Sequence, residues 1–125
     1  MLSLAGQILL TIAALSLVIL TPFYDFDRRH VFHPTWPGHA RYHAAAYTIT
    51  NMGIGTLGAA LAWLYPDFKW LVLGLITWPG IVMVLSALIP GVSAYADGEK
   101  SLWRLPVSLW GTLFYLGLCA AAALT

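Results

Sequence analysis

Residues 28–51 read RRHVFHPTWPGHARYHAAAYTITN and hold all four histidines of the chain, His30, His33, His39 and His43. Imidazole is the side chain whose charge changes near neutral pH, so a cluster of it suits either metal ligation or proton transfer. His39 and His43 stand four apart, the spacing at which two imidazoles on a helix project from one face and can share an ion. His33, on the preceding loop, could fold back as a third ligand. The expected metal set is therefore His33, His39 and His43, around one divalent transition metal ion. Without a metal the same groups could exchange protons beside Asp25, Asp27, Asp97 or Glu99. Both readings stay open at this point.

The spacing of four continues inward. His39, His43, Tyr47 and Asn51 predict a polar stripe down one helix, and polar groups at membrane depth face the protein interior rather than lipid. This makes His39, His43, Asp25 and Asn51 the candidate catalytic residues. Arg41, whose guanidinium suits a phosphate or anionic headgroup, and Tyr47 are the candidate cofactor-binding residues. Each has a structural explanation as well. Histidine sits comfortably at interfaces, Arg41 could simply snorkel, Asp25 and Asp27 could pair with Arg28 or Arg29, and Asn51 could bond between helices.

These residues must be positioned by membrane helices. Of the 125 residues 60% are hydrophobic and only 9% charged, against about 25% charged in soluble domains. The weakly charged runs exceed the roughly 20 residues that a helix needs to cross the bilayer. The fold expected is an all-α, four-transmembrane-helix antiparallel bundle in one domain, with helices at about 2–22, 38–65, 69–90 and 103–124. The first run lacks a basic n-region and an A-x-A site, so it reads as a helix and not a leader. Pro79 predicts a kink in the third helix. Gly53-Ile-Gly55-Thr-Leu-Gly58 matches G-x-G-x-x-G but lies inside an apolar helix, so it reads as packing; Gly55 and Ala59 form a small-residue seam. The lone Cys119 also reads as packing.

Charge sets the expected orientation and excludes one partner class. Arg28, Arg29, Arg41, Lys100 and Arg104 fall on the side of the first and third loops, and Lys69 alone on the other. By the positive-inside rule the first and third loops are cytoplasmic, in a bacterial cytoplasmic membrane. A net charge of +1 gives no phosphate-binding patch, so nucleic acid is not an expected partner.

The run His33-Pro34-Thr35-Trp36-Pro37-Gly38-His39-Ala40-Arg41-Tyr42-His43 resembles the HP-x-W-x-x-HAR-x-H signature of a family of short four-helix membrane proteins of bacteria and fungi. No function is established for that family. The resemblance implies that His33, His39, Arg41 and His43 act together.

The leading expectation is a small integral membrane protein with a His-centred, metal-binding or metal-free, interfacial site acting on a lipid-soluble substrate. Membrane lipids are the expected partners. Two other classes fit the same features. One is a non-catalytic accessory subunit among other membrane protein subunits. The other is a small transporter unit.

Overall fold

The computed structural model describes residues 1–93 and 100–125. Four helices carry most of the chain: α1 (Leu4–Asp25), α2 (Gly38–Leu64), α3 (Lys69–Ala87) and α4 (Val107–Leu124). Each helix packs on its neighbours in chain order, and α1 also meets α4, which closes a four-membered ring. The α1–α2 pair is the most extensive. Leu2 N–H donates to Pro66 O at 2.7 Å, so the chain returns at the end of α2 to the start of α1. These two helices are therefore antiparallel. A single 3-10 turn, Pro66–Phe68, then reverses the chain into α3.

Three boundaries differ from those expected. Helix α1 continues through Pro22 to Asp25, and Phe26 N–H closes it on Pro22 O at 2.9 Å. Proline removes only its own N–H, and the turns beyond it can still bond. Helix α3 stops at Ala87, three residues early, and Pro79 lies buried inside it. Helix α4 starts at Val107, because Ser101–Leu102 (β1) and Leu105–Pro106 (β2) pair as an antiparallel hairpin. Trp103 and Arg104 form its tip at φ 49° and 65°, the left-handed geometry that two-residue hairpin turns require.

The bundle is apolar on both sides. Its core is made of Leu10, Ala13, Ala14 and Leu17 of α1, Ala62 of α2, Val72, Leu73 and Ile76 of α3, and Tyr115, Cys119 and Ala122 of α4. The outer surface carries Ile8, Ile12, Leu15 and Ile19 on α1, Leu71, Trp78 and Leu85 on α3, and Phe114 on α4, all exposed. Water would oppose such a surface, whereas hydrocarbon accepts it. Three segments are long and apolar enough to cross a membrane: Leu4–Asp25, Pro66–Ala87 and Val107–Leu124. Helix α2 is the longest, at 27 residues, but is not among them. Its histidines, Arg41, Asn51, threonines and glycines dilute its hydropathy.

Those glycines set how closely the helices approach. A Cβ on Gly55 would lie 2.5 Å from the Ala14 carbonyl oxygen, and one on Gly58 would lie 2.5 Å from Ile76 Cγ1. The seam thus runs through Gly55, Gly58 and Ala62, all buried, while Ala59 is only partly buried beside the core.

Candidate functional site

The C-terminal end of α1 meets α2 ten residues inside its start. There the Thr48 hydroxyl donates to Asp25 Oδ2 at 3.0 Å and lies 2.9 Å from Ala44 O. Thr48 is fully buried. Asn51 lies about one helical turn deeper along α2, with Tyr47 one turn before it. Asn51 is 3% exposed, as an amide inside an apolar bundle must be.

After α1 the chain turns back on itself. Asp27 takes the Arg29 Nε–H at 2.5 Å and the Arg29 backbone N–H at 2.9 Å. Partial burial pushes the Asp27 carboxyl up, but its hydrogen bonds from Arg29 and His30 outweigh this and hold it below the usual carboxylate range. The turn brings His30 over the end of α1. Its Nδ1 lies 3.2 Å from Tyr24 O, 3.2 Å from Asp27 Oδ1 and 3.9 Å from Asp25 Oδ1. All three neighbours are acceptors, so Nδ1 carries the proton. In the neutral ring Nε2 then holds the lone pair. The ring is 28% exposed and lies edge-on to Trp36.

His33 is buried at 7% exposure and stacks on Trp36 at 4.8 Å. Its Nδ1 accepts the Thr35 N–H at 3.3 Å. His39 and His43 are exposed, with Nε2 atoms 3.0 Å apart. Tyr42 packs near both rings. Arg41 is exposed on another side of α2.

The expected constellation is therefore divided. His33 faces Trp36 and Thr35, whereas His39 and His43 face each other. Among the described residues no three of His, Cys, Asp and Glu group as metal ligands would, so the expected His33–His39–His43 set does not assemble. Asp97 and Glu99 lie outside the described residues. The polar stripe of His39, His43, Tyr47 and Asn51 is also not one face. Four residues turn a helix about 40° past a full circle, so three such steps swing by about 120°. The outer members, His39 and His43, end exposed, and the innermost, Asn51, ends buried.

Two residues gain a place that spacing by fours does not give them. His30, furthest from the expected stripe, is the histidine that meets the carboxylates. Thr48 belongs with Asn51, Gly55, Gly58 and Ala62, at alternating steps of three and four along the buried face. That alternation is legible in the sequence, because it follows the helix period. The contact between Asp25 and His30 has no sequence signal, since it depends on how the loop turns. No family model, curated protein or solved structure matches the chain.

Proposed function

We propose that this chain is an integral membrane protein of four spans with an interfacial acid–base site, and that it acts on a lipid-soluble substrate. The fourth span is α2. It runs antiparallel to α1 and returns the chain between two segments that are apolar enough to cross. Its polar residues Thr48 and Asn51 are turned inward. The resemblance of residues 33–43 to a short four-helix family agrees with this architecture. The loop carrying Arg28 and Arg29 is assigned to the cytoplasm from the charge asymmetry.

One observation carries the acid–base reading. Among the described residues, His30 Nδ1 faces three acceptors, namely Tyr24 O, Asp27 Oδ1 and Asp25 Oδ1. A carboxylate that accepts the Nδ1–H hydrogen bond fixes the tautomer and orients the ring, which leaves Nε2 to take or give a proton. Asp27, at 3.2 Å from Nδ1, is the positioning residue, with Asp25, itself held by Thr48, at 3.9 Å from the same nitrogen. Tyr47, beside Thr48, and Asn51, a turn deeper, supply polar groups along α2 where a substrate entering from the bilayer would lie. His39 and His43 stand outside this arrangement.

The test is hydrogen exchange into lipid. The purified chain in nanodiscs is incubated in D2O with a total membrane lipid extract, and the lipids are analysed by mass spectrometry. Deuterium uptake into one lipid class, lost in His30→Gln and weakened in Asp27→Asn, is the expected result. Uptake that persists in His30→Gln would remove His30 from the reaction. The second reading, an accessory subunit, is favoured by the exposed Thr50, Gly53 and Thr56 on the outer face of α2. Stoichiometric co-purifying protein with no lipid chemistry would support it.

A further inference from the structure

We infer that His39 and His43 form half of a divalent transition-metal site, and that the other half comes from the same pair on a second copy of this chain. The first ground is the convergence of the two rings. Their Nε2 atoms are 3.0 Å apart with the ring planes at 86°, so both ring tips point at one another and do not splay into solvent. Two neutral imidazoles in this position can share at most one proton, and a metal ion can take that proton's place. Metal–nitrogen bonds of about 2.0–2.1 Å across that gap subtend roughly 95° at the ion, and about 0.3 Å of widening reaches the tetrahedral angle. Two protein ligands leave a four-coordinate ion half filled.

The second ground is where the pair sits. At about 1.5 Å per residue, His43 and His39 lie roughly 7 and 13 Å further along α2 than Thr48, beyond the end of α1. They are exposed there. A second copy in the same membrane has the same orientation, so a two-fold axis along the membrane normal brings its pair to the same depth.

The face that such an axis requires is present. At about 100° per residue, Thr50, Gly53 and Leu57 fall with His39 and His43 inside an arc of about 80° on α2. All five are exposed. A Cβ added to Gly53 meets nothing within 4 Å, so the neighbouring space is open to another backbone. Small residues and threonine let membrane helices approach closely and bond across the seam. Among the four described α-helices, α2 alone is too polar to count as a span by hydropathy, as expected of a helix covered on both sides. Four imidazoles at the head of an α2–α2 seam make a tetrahedral site suited to zinc or cobalt(II).

The test uses tag-free, full-length protein in nanodiscs large enough for two copies, stripped with EDTA and titrated with Zn2+ or Co2+. Binding is expected to saturate at one ion per two chains, with the intense Co2+ absorption of a tetrahedral site. Thr50→Cys, oxidised with diamide, should form an inter-chain disulfide when Zn2+ is present and fail to form it when EDTA is present from the start. The exposed double variant His39→Ala/His43→Ala should lose metal uptake and the metal-dependent cross-link while keeping its helical circular dichroism. His30→Gln should keep both. Saturation at one ion per chain without the Thr50→Cys cross-link would overturn the shared site. Metal uptake no greater than that of the double variant would overturn the site altogether.

Discussion

Thr48 and Asp25 are joined at 3.0 Å across the seam between α2 and α1. The Thr48 hydroxyl has one proton and two acceptors in reach, Asp25 Oδ2 and Ala44 O. An ionised Asp25 draws that proton, whereas a protonated Asp25 could donate to Thr48 and release its proton to Ala44. The bond thus ties the charge state of the site to the helix interface beneath it.

Removing this hydroxyl should be costly. Thr48→Val keeps the shape but leaves Asp25 without its buried donor, and should destabilise the bundle by about 1–3 kcal/mol. Thr48→Ser keeps the donor and loses one methyl, which costs roughly 1 kcal/mol. Thermal unfolding in detergent, followed by circular dichroism, ranks the three proteins. Equal loss in both variants would mean that packing, and not the hydrogen bond, matters at Thr48.

Asp27 makes stability depend on acid. Its carboxyl is held below the usual range, so it contributes stability that is complete above the unfolded value of about 4 and is lost as pH falls through the folded value. The difference in unfolding temperature between the wild type and Asp27→Asn should shrink as pH falls below about 4. A difference that does not change with pH would show that Asp27 contributes through shape alone.

Two glycines should respond in opposite directions. Gly55→Ala drives a Cβ into the Ala14 carbonyl and should cost about 1–3 kcal/mol by forcing α1 and α2 apart. Gly117→Ala in α4 meets open space and should be neutral or stabilising by up to about 1 kcal/mol, because alanine favours helix. Unfolding temperatures of both variants decide this. Equal effects would place the close approach elsewhere.

Gly38 and Asp67 lie beyond or at opposite ends of α2, so cysteines there should label from opposite sides of the membrane. In intact cells an impermeant maleimide should modify Asp67→Cys and spare Gly38→Cys, with the first loop in the cytoplasm. The reverse pattern would invert the orientation, and labelling of both would remove α2 as a span.

Composition alone carried the helical class and the membrane. Sixty per cent hydrophobic residues with 9% charged leave few alternatives, because they give helices long and apolar enough to cross a membrane. Proline and glycine positions located the loops to within a few residues. The misplaced start of α4 reflects a hairpin at Trp103 and Arg104 that hydropathy does not register. Spacing along α2 was informative only when taken at the helix period. Steps of four joined His39 to Asn51 as one face, yet the rotation of about 40° per step carries one end outward and the other inward. Buriedness at Thr48, Asn51, Gly55, Gly58 and Ala62 follows steps of three and four, so that much lay in the sequence. Which histidine meets a carboxylate did not. His30 reaches Asp25 and Asp27 because the chain after α1 turns sharply, capped by Asp27 and Arg29, and places a loop residue over a helix end. That contact was decided by tertiary structure, because a loop's path depends on the surface it folds against and not on any period in its residues.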